Sequence, residues 1–78
     1  MDNNQLMSQR EILIILAEQG ITSYYFSFDG KNHTFYIHDS HEPLFSCSTA
    51  GMRAAWVEWC NDHNDNNPND MIIAFGVK

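Results

Sequence analysis

Apolar residues recur along this chain with two different periods, and the changes of period mark its elements. In "MSQREILIILAEQG", Met7 to Gly20, they recur at helical spacing. Ser8 and Glu11 form a Ser-x-x-Glu capping box, in which each side chain can satisfy the other residue's unpaired backbone N–H. Met7 before the cap and Ile12 at the fourth helical position have the spacing of a hydrophobic staple. Gly20 offers a left-handed stop. These signals predict a helix from Gln9 to Gln19 with Ile12, Leu13, Leu16 and Ala17 on its core face. Ile14 points nearly opposite, beside Met7. Apolar residues on the back of a helix are either buried as well or offered to a partner, so Met7 and Ile14 are candidates for self-association.

The period then changes to two. "ITSYYFSFDGKNHTFYIHDS" predicts a β-hairpin, with aromatic and β-branched arms around an Asp29-Gly30 turn signal. A loop centred on Gly30 and Lys31 sets Phe26 opposite Phe35, Tyr24 opposite Ile37 and Phe28 opposite His33. The other face pairs Tyr25 with Tyr36, Ser23 with His38 and Ser27 with Thr34. The first face belongs in a core, and the second, a tyrosine pair among small polar residues, suits partial exposure. "HEPLFSCS" reads as a turn and a short strand, Leu44 to Cys47.

Helical spacing returns in "STAGMRAAWVEWCNDH", which Ser48 or Thr49 can cap. Met52, Ala55, Trp56, Trp59 and His63 share a face, Cys60 flanks it, and Glu58, Asn61 and Asp62 lie mainly opposite. "NDNNPND" reads as a loop, because Asn and Asp compete for backbone hydrogen bonds and Pro68 stops a helix. "MIIAFGV" reads as a last strand, with Met71, Ile73, Phe75 and Val77 on one face and Ile72, Ala74 and Gly76 on the other. The order α-β-β-(β)-α-β predicts an α+β fold of two layers. Both helices cover one face of a mainly antiparallel sheet, and the other face stays open. At 78 residues, positions 1–78 form a single small domain.

Composition narrows the function classes. Hydrophobic residues make up 44% of the chain, enough for a core and too many for disorder. Ten acids against four bases give a net charge of −6, which opposes direct binding of nucleic acid and favours a protein partner with a basic surface. Helix–strands–helix order suggests double-stranded-RNA-binding domains, and aromatic residues on an open sheet suggest RNA-recognition motifs, but neither basic pattern is present. Two cysteines do not make a disulfide framework. No signal peptide is evident at the start, and the run from Ile12 to Ala17 is far too short to span a bilayer. These features lead us to expect a cytoplasmic protein with no membrane contact.

Candidate chemistry concentrates in "CNDHNDNNPND", Cys60 to Asp70. Cys60 and His63 are nearly one helical turn apart and could share a zinc ion, with His38 and His41 completing a tetrahedron. The paired short spacings of thiolate sites are missing, so the expectation is no metal and no cofactor. An EF-hand match fails at Asn67, where glycine is needed, and at Ile73, where a bidentate acid is needed. The chain carries no nucleophile elbow and no phosphate-binding glycine loop, which points away from an enzyme.

What remains is charged and aromatic surface. Glu58, Asp62 and Asp65 recur on the second helix, Asp39 and Glu42 sit in a turn, and Asp70 closes the Asn-rich loop. With Tyr25 and Tyr36 they are the candidate partner-binding residues. The expectation is a non-enzymatic, acidic interaction module that occupies a basic, nucleic-acid-binding surface of another protein. Small acidic inhibitors of phages and mobile elements, anti-restriction and anti-CRISPR proteins among them, are of this size, charge and compactness. The competing readings are a zinc protein using Cys60 and His63, and a small regulatory subunit binding through an apolar helix face.

Overall fold

Ser8 opens the first helix as its sequence requires. Its hydroxyl accepts from the Glu11 N–H at 3.1 Å, and α1 runs Gln9–Glu18. The helix ends at Gln19, and Gly20 follows at φ +79°, the left-handed conformation glycine adopts without strain. The computed structural model describes residues 7–76. The α1 core face comprises Ile12, Ile15 and Leu16, with Leu13 half-buried. Ala17, expected on this face, is exposed, and Ile15 takes the inward place. The buried stripe is the i, i+3, i+4 row starting at Ile12, so Ala17 falls on the flank.

The hairpin has the expected register. β1, Tyr24–Phe28, pairs antiparallel with β2, Asn32–Ile37, setting Tyr24 against Ile37, Phe26 against Phe35 and Phe28 against His33. His38 N–H donates to the Ser23 carbonyl at 2.7 Å, continuing the ladder past the strand ends. In the turn, the Asp29 carboxylate accepts from the N–H groups of Lys31 at 2.9 Å and Asn32 at 2.7 Å. Those bonds hold its carboxyl below the usual carboxylate range. β3, Phe45–Ser48, pairs antiparallel with β2, giving a three-stranded sheet of order β1-β2-β3.

The second helix, α2, runs Met52–Asn66. Its N-cap is Gly51, without a side-chain cap bond, and not Ser48 or Thr49 as expected; the Ser48 hydroxyl accepts from the Gly51 N–H at 3.1 Å and closes the turn ahead of the helix. The helix continues two residues beyond the His63-Asn64 end expected from the Asn-rich run. Asn66 Nδ2 donates to the Asp62 carbonyl at 3.0 Å and Asn67 Nδ2 to the His63 carbonyl at 2.9 Å. The Asn67 side chain satisfies a carbonyl that the helix end leaves open, and the Asn66 amide folds back on the same turn, so these residues finish the helix rather than break it.

One core joins both helices to one sheet face. Phe35, Trp56, Met52, Cys60, Ile12 and Leu16 are fully buried, with Met7 and Ile72 packed in the same cluster. Phe35 lies edge-on to Trp56, with centroids 5.8 Å apart. His33, also buried, ties the layers at one end. Its Nδ1 donates to Gln9 Oε1 at 2.7 Å and its Nε2 shares a hydrogen bond with the Thr49 hydroxyl at 2.8 Å. Tyr25 and Tyr36 stack on the opposite, open face at 5.1 Å.

The segment read as a last strand differs. Residues 71–76 pair with no strand. The alternation is correct, since Ile72 is buried and Ala74 half-buried while Met71, Ile73 and Phe75 point out. The hydrogen bonds, however, come from side chains of the helices. Asn64 accepts from Ile72 N–H at 2.7 Å and donates to its carbonyl at 3.0 Å. Gln19 accepts from Ile73 N–H at 2.9 Å and donates to its carbonyl at 2.8 Å. Trp56 Nε1 donates to the Ala74 carbonyl at 2.8 Å. The segment thus lies against α1 and α2 rather than extending the sheet. Val77, expected on its outer face, lies outside the described residues.

Candidate functional site

Glu58, Asp62 and Asp65 follow each other at intervals of four and three residues, which places them on one side of α2. Across from them lies β3, the terminal strand of the sheet. Between the two elements runs a groove of about 550 Å³ lined by Leu44, Phe45 and Ser46 on the strand side. On the helix side it is lined by Ala55, Glu58, Trp59, Asn61, Asp62 and Asp65. Trp59 is held from below: it lies edge-on to Phe35 at 5.1 Å and to Tyr24 at 5.6 Å, and stacks on Trp56 at 5.6 Å. An aromatic and aliphatic floor therefore sits under an acidic wall.

The other candidate acids are placed elsewhere. Asp70 lines a separate polar hollow with Tyr24, His63 and Gln19. Its carbonyl accepts from His63 Nε2 at 3.1 Å, with that nitrogen as donor. Asp39 stands at φ +71° in the turn after β2, a left-handed position that Asp tolerates better than most residues. It borders a hollow with Tyr25, His38 and His41. The exposed Glu42 donates its N–H to the Ser40 hydroxyl at 3.2 Å, so this pair of acids belongs to turn geometry. Tyr25 and Tyr36 are on the open sheet face, away from the helix layer that carries the groove. The structure brings together three of the six candidate acids, Glu58, Asp62 and Asp65.

The self-association pair is split. Met7 is buried in the core, where it packs as the staple spacing predicts, so it shares no outer surface with Ile14. Ile14 is 49% exposed. Larger apolar exposure lies on the C-terminal segment, where Met71, Ile73 and Phe75 are 60%, 50% and 50% exposed.

Cys60 and His63 do not meet as ligands. Cys60 is buried, and burial pushes its thiol up to about 12. A thiol so placed resists forming the thiolate that binds metal. His63 stacks on Trp59 at 5.1 Å. Among the described residues no three His, Cys, Asp or Glu side chains gather closely enough to hold an ion. No helix among them is long and apolar enough to cross a membrane.

Sequence reasoning found the acids and missed the floor. Trp59 is expected on the helical face shared with Met52 and Trp56, and Phe45 only as part of a short strand; both are half-buried and line the groove. The neighbouring positions Glu58 and Trp59 were the available signal: an acid and a large ring side by side on α2 mark the boundary of its buried face. Comparison of the chain with protein-family models, with curated proteins and with solved structures finds no match.

Proposed function

We propose that this protein is a non-catalytic interaction module whose groove between β3 and α2 engages a basic surface of a partner protein. The observation that carries this reading is the arrangement of Glu58, Asp62 and Asp65 along one wall, with Trp59, Phe45 and Leu44 beneath. Charge and apolar area have different jobs here. The acids, within a chain of net charge −6, steer a cationic partner and select against anionic ones. The rings and Leu44 offer apolar area for a buried contact, where most binding energy concentrates. A basic surface that ordinarily holds DNA or RNA has the matching charge. Occupying it makes this protein an inhibitor by exclusion, as small acidic proteins of phages and mobile elements can be.

The test compares capture by the full chain with capture by the triple variant Glu58→Gln, Asp62→Asn, Asp65→Asn. The expected result is a basic, nucleic-acid-binding protein retained by the wild type, released by salt, lost with the triple variant, and displaced from its DNA or RNA when bound. A partner retained equally by both chains rules out the acidic groove as its binding site.

A further inference from the structure

The opposite flank of α2 carries a second groove, of about 710 Å³, lined by Ala50, Arg53, Ala54, Val57, Glu58 and Asn61 with Phe75 as its wall. Arg53, Ala54, Val57, Glu58 and Asn61 recur along α2 at intervals of one, three, one and three and form one continuous face, with Ala50 in the turn just before the helix. The face reads symmetrically about the midpoint between Ala55 and Trp56. Reversing the helix direction exchanges Arg53 with Glu58 and Ala54 with Val57. Both exchanges join compatible partners: opposite charges, and two small apolar groups.

We infer that this face pairs with itself: two copies of the chain associate through antiparallel α2 helices around a two-fold axis. The charge complementarity selects a second copy, because Arg53 of one copy faces Glu58 of the other and the axis makes that pair twice. The small side chain of Ala54 allows the close axial approach of about 8 Å found at tightly packed helix crossings. Arg53 is positioned by Phe75, whose ring lies 4.9 Å beneath its guanidinium carbon. The half-exposed Phe75 gains cover from the partner copy, and with it part of an apolar ridge that would otherwise face water. A two-fold contact of this kind is isologous and closes at two copies. Glu58 borders both grooves and is drawn to Arg53 of the other copy, while Asp62 and Asp65 stay on the β3 side of α2, so the dimer presents two grooves each walled by that aspartate pair.

Sedimentation of the full chain from about 1 µM to about 1 mM tests this, the span over which weak contacts titrate. The expected result is a reversible rise from the 9.0 kDa chain mass to twice that value. Arg53→Glu and Glu58→Arg each set like charges opposed across the axis, and each weakens association about tenfold or more. The double variant Arg53→Glu/Glu58→Arg restores it. An equimolar mixture of the two single variants forms a heterodimer although neither pairs with itself. Ala54→Glu, at an exposed helix position, gives a folded monomer and reads the same interface if a charge variant loses its fold. Asp62→Asn/Asp65→Asn leaves the dimer unchanged, which separates this contact from partner binding. A 9.0 kDa mass at every concentration overturns the proposal. So does a dimer indifferent to the charge swaps or to Ala54→Glu, or a mixture of folded single variants that stays monomeric.

Discussion

Cys60 has a nearby histidine and aspartates in the sequence, yet in the fold it is a core residue beside Trp56 and Met52. Burial disfavours its thiolate, raising the group from 9.0 to about 12. Below 9.0 both the folded and unfolded thiol are protonated, and the contribution to stability is fully present. Between 9.0 and about 12 the unfolded chain releases a proton that the folded chain keeps, so stability falls as pH rises. Tyr24, raised first by burial and then by Cys60 and Asp70, acts with the same sign. Urea midpoints of wild type and Cys60→Ala at about pH 8 and about pH 10.5 should show a shallower alkaline loss for the variant. Equal losses would show that Cys60 does not carry this linkage. Other residues were legible because their roles are local. Ser8 meets Glu11 three residues on, and Asp29 meets Lys31 and Asn32 two and three residues on.

Among the elements, the hairpin and the segment after α2 show contrasting origins. The hairpin register follows from alternation and from one turn, because a slip of one residue would move Phe26 and Phe35 off the core face. Gly30, at φ +97°, supplies the turn conformation that other residues adopt only with strain. Residues 71–76 carry the same alternation without a strand partner, and Asn64, Gln19 and Trp56 meet their backbone groups instead. Asn64 matters most, since its two bonds to Ile72 are partly buried and the Gln19 bonds to Ile73 are exposed. Asn64→Ala should cost about 1–3 kcal/mol in urea unfolding, the penalty for leaving buried polar groups unpaired. Gln19→Ala should cost less than about 1 kcal/mol, because its bonds to Ile73 are exposed and water can replace them. Amide exchange at Ile72 should quicken in the Asn64 variant, and an unchanged rate would mean that other contacts hold the segment.

At the scale of the whole molecule, charge separates two kinds of association. A chain of net charge −6 repels its own copies over distances that salt screens beyond about 8 Å at physiological ionic strength. Capture of a basic partner by the β3–α2 groove should therefore weaken as salt rises. Pairing through Arg53, Ala54 and Val57 should strengthen from low to moderate salt as the long-range repulsion is screened. Titrating both associations against sodium chloride checks this. Slopes of the same sign would show that one of the two contacts is not governed by the charges assigned to it.

The Ser8 cap, the first helix, the hairpin register, the amphipathic second helix and the two-layer α+β arrangement were determined by the sequence alone, because each rests on signals a few residues apart or on one repeating period. Even the symmetric order of residues around Ala55 and Trp56 is written there. Only the tertiary structure decided what those patterns meet. It placed Ile72 and Ile73 against helix side chains, because Asn64 and Gln19 reach backbone groups that no strand covers. It set Glu58, Asp62 and Asp65 over Leu44 and Phe45. It left one flank of α2 open beside Phe75. These juxtapositions join residues far apart in the chain, and packing of the common core around Phe35 and Trp56 brings them together.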